Sequence, residues 1–235
     1  MSAQNKPKID SNQSEIIRSR EFLKIIAQPD NSSIDKSELK IDSEALDTDS
    51  KVDLIASHFE EIMRILGLDL NDDSLKDTPN RVAKMYVNEV FSGLLPQNKP
   101  EITLFDNNYQ YEEMLVEKNI KVHSFCEHHF VPIIGKAHVA YISNGKVIGL
   151  SKINRIVDYF SRRPQVQERL TVQIAEELKK ALHTEDVAVA ITADHMCVTL
   201  RGIKDEGSST YTSSFHGKFK DREYRREFLD TIKEK

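Results

Sequence analysis

The apolar residues of this chain change period three times, and that pattern constrains the fold more than any other property of the sequence. Val52, Ile55, Phe59, Ile62, Met63 and Leu66 fall at helical spacing, and Gly67 stops the run. Thr78-Pro79 reads as an N-cap followed by proline in the first helical turn, and Val82, Met85, Tyr86 and Val90 continue the stripe to Gly93. The period then drops to two: Met114, Val116, Ile120 and Val122 alternate with polar residues as in a half-buried strand. Residues 130–143 form a second strand candidate, Asn144-Gly145 a hairpin turn, and 146–150 a short returning strand. Helical spacing resumes with Ser151 as a cap and Ile153, Ile156, Val157 and Phe160 on one face. Pro164 is expected to open another helix, with the stripe Leu170, Ile174, Leu178 and Leu182. Residues 187–193 and 196–203 read as strands and 208–215 as a third, before a charged, exposed helix over 222–231. Helices, strands, two helices and strands in that order predict an α+β fold, an antiparallel sheet covered on one face.

The 235 residues are 39% hydrophobic and 30% charged, enough for one sizeable core or two small ones. Residues 1–50 are the exception. They are rich in Ser, Asp, Asn and Lys, with Phe22 as their only aromatic, and bury too little apolar surface to offset ordering entropy. They are expected to form a largely disordered arm with a short docking helix over 16–27. Residues 51–112 are expected to form a helical region and 113–235 the sheet-bearing region.

No run approaches 18 apolar residues, and the first 15 residues have no apolar core of the signal-peptide kind. The expectation is a cytoplasmic protein without a membrane partner. Net charge is −5, so the bulk charge does not suit a nucleic-acid binder, and an anionic ligand needs a local cluster.

Two cysteines, Cys126 and Cys197, are too few for a disulfide framework. Cys126-Glu127-His128-His129 holds a C-x-x-H pair at the end of a predicted strand, and Cys197 lies in Asp194-His195-Met196-Cys197. Cys126, His129 and Cys197 together offer three ligands and leave a fourth position open, the pattern of a catalytic zinc. The plainer alternative is two core thiols beside surface histidines. His128 and His195 remain as non-ligand imidazoles, suited to moving protons near neutral pH.

Ser151, Lys152 and Arg155 share the start of one helix, where free amides and two cations favour an anion, although Ser151 alone suits a cap. Arg201 follows Cys197 by four residues, two strand periods on one sheet face. Gln167-Glu168 opens a helix. Either the acid simply complements the dipole, or the carboxylate and amide read the N–H edge of a guanine. The H-x-E/P-C-x-x-C, H-E-x-x-H, P-loop and G-x-S-x-G patterns are absent.

Four blocks carry a resemblance. CEHHFVPIIGKAHVAYI, VIGLSKINRIVDYFSRRPQVQERLT and DHMCVTLRGI closely resemble the signature blocks of GTP cyclohydrolase I, and TPNRVAKMYVNEVFSGL resembles that family's earlier helix. The likeness runs from about Lys51 to the C-terminus and leaves residues 1–50 uncovered. It implies conversion of GTP and water to 7,8-dihydroneopterin triphosphate and formate, the first step toward folate or tetrahydrobiopterin. Cys126, His129 and Cys197 would hold zinc. His128 would be the main proton donor and acceptor, and His195 would assist it. Glu168 would anchor the guanine edge with Gln167 beside it. Lys152, Arg155 and Arg201 would hold the triphosphate, and Ser151 would contact the ribose. Arg81 and Lys84 would reach a neighbouring subunit's site. The resemblance also implies a tunnelling fold, with four-stranded sheets closing into a barrel of five subunits, two such rings forming a homodecamer, and active sites between subunits. The family's Thr/Ser-rich run near 208–214 is interrupted here by Tyr211, with Phe215-His216 following. A nucleotide-binding homologue without activity, acting as sensor or scaffold, is the alternative that the intact Cys126/His128/His129/Cys197 set disfavours.

Overall fold

The computed structural model describes residues 46–233, so the expected short helix over 16–27 and nearly all of the expected arm lie outside the described residues. The first expected helix forms as α1, Thr48–Ile65. The Asp47 carboxylate accepts the Ser50 N–H at 2.7 Å, satisfying one of the amides a helix start leaves free. α2, Thr78–Lys84, contains Pro79 in its first turn, but its N-cap is Asp77 rather than Thr78. The apolar stripe past Lys84 continues as a π-helical turn, Met85–Val90. Val52 and Ala56 of α1 bury against Ala83 and Val87.

The main sheet has the order β5-β2-β3-β6-β7. Its strands are β2, Met114–Cys126; β3, Pro132–Ile142; β5, Pro164–Gln165; β6, Val187–His195; and β7, Thr210–Phe215. The sheet has five strands instead of the expected four, because the short β5 adds a parallel edge beside β2; all other neighbours are antiparallel, as expected. A separate two-stranded ribbon pairs β1, Leu104–Asp106, with β4, Lys146–Ile148. Three expectations are corrected here. Asn144-Gly145 does turn the chain, with Gly145 at φ +83, but β4 pairs with β1 instead of returning onto β3. Pro164 opens no helix: with Gln165 it lies parallel to Phe125 and Cys126, and the helix starts at Gln167. Residues 196–203 are no strand: Met196–Thr199 form a single helical turn, α5.

Two longer helices cover one sheet face, α3 (Leu150–Ser161) and α4 (Gln167–Leu182). α3 is N-capped by Gly149, so Ser151 sits inside its first turn rather than capping it. The stripe residues Ile153, Ile156, Val157, Leu170, Ile174, Leu178 and Leu182 pack on Val122, Val139, Tyr141, Val189 and Ile191 in the larger core. Gly93 joins the helical region to this layer: its N–H donates to Arg162 O at 2.9 Å, and a Cβ there would strike the carbonyls of Tyr159 and Arg162.

The opposite sheet face is covered too, against expectation. Ala140, Ile142, Ala188 and Ala190 alternate with the first set along β3 and β6 and pack on Phe219 and Phe228. Phe228 belongs to α6, Arg222–Ile232, and is fully buried, so this charged helix is anchored rather than wholly exposed. The architecture is α+β. Among the described residues no helix is long and apolar enough to cross a membrane.

Candidate metal centre

The register of β3 brings the chemistry together. Ser124 of β2 and His195 of β6 both pair with Ile133, so the ends of β2 and β6 flank one point of β3. Cys126 closes β2, and Cys197 begins one residue into α5, immediately after β6. The 71-position separation of the cysteines in sequence thus reduces to a two-strand separation in space. The turn after Cys126 is closed by Phe130 N–H to Cys126 O and Cys126 N–H to Val131 O, both 2.8 Å, with Phe130 at φ +52. Phe130 stacks with Phe91 and Tyr86 at centroid distances of 5.2 and 6.3 Å, tying this turn to the π-helical segment.

One ligand atom from each of Cys126, His129 and Cys197 lies within 4.8 Å of the others. Two sulfurs and an imidazole nitrogen converging this closely suit a soft or borderline divalent cation with a fourth position free. Burial, and then the adjacent Cys126 sulfur, push the Cys197 thiol above its ordinary range, while Arg201 pulls it down.

Around this cluster stand four predicted side chains. His128 Nδ1 lies 3.5 Å from Cys126 Sγ, and the ring is largely exposed. Arg201 Nη1 donates to His129 Nε2 at 2.8 Å. It arrives there from the turn after α5, not along a strand, so the residue is placed as expected for a different reason. His195 Nε2 lies 2.8 Å from Gln167 Oε1. The amide orientation follows from its other contacts: Gln167 Nε2 donates to Ile191 O at 3.1 Å and Thr210 O at 2.9 Å, and both carbonyls only accept. The amide oxygen must therefore face His195, whose Nε2 carries the proton and whose Nδ1 is the basic nitrogen. Burial lowers the His195 pKa, opposed by the nearby carboxylates of Glu168 and Asp194.

Gln167 is only 1% exposed, and its amide is fully engaged within the chain. Glu168, one residue on, is exposed in the first turn of α4. Two residues the sequence reading passed over complete this end. Arg169 donates to the Glu127 carboxylate, to Pro164 O at 2.9 Å and to Gln165 Oε1 at 2.9 Å. The only sequence sign was a charged pair adjacent to two candidate motifs, 42 residues apart.

The remaining predicted residues are not brought to this end. α3 starts beyond β4, whose Ile148 N–H meets the Tyr141 hydroxyl at 3.4 Å, and it ends just before Pro164, which pairs with Phe125. Ser151 and Lys152 therefore lie about 15 Å along the helix axis from the metal end. Ser151 and Arg155 are exposed and Lys152 is half-buried. Arg81 and Lys84 are exposed on α2, where Arg81 lies 3.7 Å from Asp77.

A family model described as GTP cyclohydrolase I matches residues 55–233. The protein named GTP cyclohydrolase 1 of Flavobacterium johnsoniae is 59% identical over 218 residues, covering 93% of this chain and 98% of that one. Proteins of the same name from Erwinia tasmaniensis and Aeromonas hydrophila are 56% and 55% identical, each over 80% of this chain and 86% and 87% of their own.

Proposed function

The chain belongs to the GTP cyclohydrolase I family, and from that premise we propose that it converts GTP and one net water to 7,8-dihydroneopterin triphosphate and formate. The observation that carries this reading at the site is the Cys126/His129/Cys197 cluster with two separately held, non-ligand histidines beside it.

The donor set fits zinc, and Cys126, His129 and Cys197 would hold it. When bound there, zinc supplies the Lewis acidity that makes water nucleophilic near neutral pH. The rest of the work falls to the chain's own side chains. Glu168 presents an exposed carboxylate that accepts two N–H bonds from the guanine edge and so fixes the base beside the histidines. His128, exposed and next to the Cys126 sulfur, gives and takes the protons that ring opening at C8 requires. His195 assists through Nδ1, because Gln167 holds its Nε2 proton and its ring orientation. Gln167 serves the site through His195, not through the base. Burial favours the neutral form of His195, the form able to accept a proton.

Arg201 is the one triphosphate-binding candidate at the metal end. Lys152 and Arg155, with Ser151 for the ribose, lie at the far end of α3, so a second copy would supply them. The sheet favours such an assembly: β7 ends it on one side, and β2 is paired with β5 only at Phe125 and Cys126 on the other. Copies joining edge to edge would close both free edges, and five-copy rings stacked in pairs would give the homodecamer. Arg81 and Lys84 would add positive charge to a neighbouring site. The reading also keeps the protein in the cytoplasm, where free thiols persist.

Incubating the zinc-loaded protein with GTP tests this reading. Equal amounts of formate and dihydroneopterin triphosphate are expected. Formate without the pterin would locate the failure in the ribose rearrangement. Neither product from folded, zinc-bound protein would refute the reading.

A further inference from the structure

The turn that carries Cys126, His128 and His129 is joined to β5 and to the first turns of α4 through Glu127. The Glu127 N–H donates to Gln165 O at 3.1 Å, and its Oε2 accepts from Arg169 Nη2. The other carboxylate oxygen, Oε1, lies 3.9 Å from His128 Nε2. Arg169 itself is held on three sides, by Glu127, by Pro164 O and by Gln165 Oε1. Gln165 is in turn fixed, 1% exposed, with its amide donating to Phe160 O and Gln173 Oε1, both at 2.9 Å. A guanidinium is suited to this task, because its planar fork holds several acceptors at set angles where an ammonium would hold one point.

Resting on the function proposed above, we infer that Arg169 is a positioning residue: through Glu127 it sets where His128 stands relative to the guanine anchor Glu168. Arg169 is the residue after Glu168 on α4, and Glu127 is the residue before His128 on the metal turn. One ion pair thus spans the two groups that must be placed together, the one that holds the base and the one that moves its protons. The pair is about one-third exposed on each side, so its value lies in geometry more than in stability. Removing Arg169 leaves Glu168 on its helix and the three metal-binding side chains intact. It frees the Glu127 carboxylate to swing toward His128 or solvent. Ground-state binding of GTP should survive while the proton transfers suffer.

The test uses the zinc-loaded, full-length protein. For the wild type, Arg169→Met, Arg169→Lys, Glu127→Gln and the Arg169→Met/Glu127→Gln double variant, one measures kcat and KM for GTP, zinc bound per chain, and the thermal midpoint. Arg169→Met should lower kcat at least about tenfold with KM within about threefold, at unchanged zinc content. Arg169→Lys should recover part of that loss. The double variant should be no worse than the poorer single variant, because both remove one interaction.

A kcat of Arg169→Met within about twofold of wild type would overturn the inference, as would a rise confined to KM, since each departs from the expected split. Penalties that multiply in the double variant would overturn it, and so would a fall in kcat that tracks lost zinc. If Arg169→Met does not fold, Glu127→Gln, which keeps the shape and an acceptor oxygen, decides by the same criteria. A wild type without activity on GTP would instead refute the proposed function, so the two failures are distinguishable.

Discussion

The two ends of α3 differ sharply. At its C-terminal end, beside Cys126, three polar pairs are fixed within the chain: Gln167 with His195, Arg201 with His129, Arg169 with Glu127. At its N-terminal end Lys152 and Arg155 carry no ion pair among the described residues, and Ser151 does not cap the helix it enters. On the function proposed above, the difference follows from what each end would do. Proton transfer depends on placement within a fraction of an ångström, so its groups are held before substrate arrives. A triphosphate brings its own charge and can order two cations on binding. A single chain therefore builds the reactive half of the proposed site in advance and leaves the anion-binding half open and facing elsewhere.

The largest expected effect probes the reactive end. Cys126→Ser or Cys197→Ser should remove the bound metal and lower activity on the order of 10³-fold or more, checked by metal analysis beside turnover. Full activity in a metal-free Cys197→Ser protein would break the comparison at once. His128→Ala should retain zinc and lower kcat by about 10²–10⁴-fold, as expected for loss of a proton-transfer group.

At the open end, Lys152→Ala or Arg155→Ala should raise KM for GTP about tenfold and leave kcat within a few-fold. An equal loss in kcat would mean that this end is as tightly prearranged as the other.

The smallest effect sits away from both ends. Burial, and then the Lys179 ammonium, hold His216 below its ordinary value of 6.5, so the folded state prefers the neutral ring. The Ser214 hydroxyl lies 2.8 Å from its Nε2, and Glu176, Glu185 and Lys220 also face it. The unfolded chain binds this proton first as pH falls. The stabilisation is thus complete above pH 6.5 and declines below it toward the lower folded pKa. His216→Gln should flatten that part of the acid limb in thermal midpoints measured across it, and an unchanged limb would contradict the assignment.

The reactive end was legible in the sequence because its residues lie in two short blocks, 126–129 and 194–197, whose spacing is local. The helical stripes were legible for the same reason: Ile153 to Phe160 and Leu170 to Leu182 repeat within one element. What escaped depends on distant partners. The apolar run 196–203 suits a strand locally, but β7 takes the place beside β6, and a helical turn swings Arg201 onto His129. Lys146–Ile148 is a strand as its residues suggest, yet its partner is Leu104–Asp106, which no alternation marks. The fully buried Phe228 packs with Tyr224, Leu229 and Ile232 of its own helix on the small residues Ala188 and Ala190, a stripe hidden among the charges of 222–232. Arg169 and Glu127 were invisible as a pair until Pro164-Gln165 proved to be a strand against Cys126.

The central claim is that the held end of one copy and the open end of another make one site. The direct measurement is complementation. His128→Ala and Lys152→Ala/Arg155→Ala chains, carrying different tags, are co-expressed, and oligomers containing both are isolated and assayed at GTP concentrations far below KM, where the raised KM makes the Lys152→Ala/Arg155→Ala parent weak as well. If each site draws its two halves from different copies, about a quarter of sites regain both intact halves and activity returns far above that of either parent. If both halves come from one chain, every chain is broken, and the mixed oligomer will be no more active than its parents.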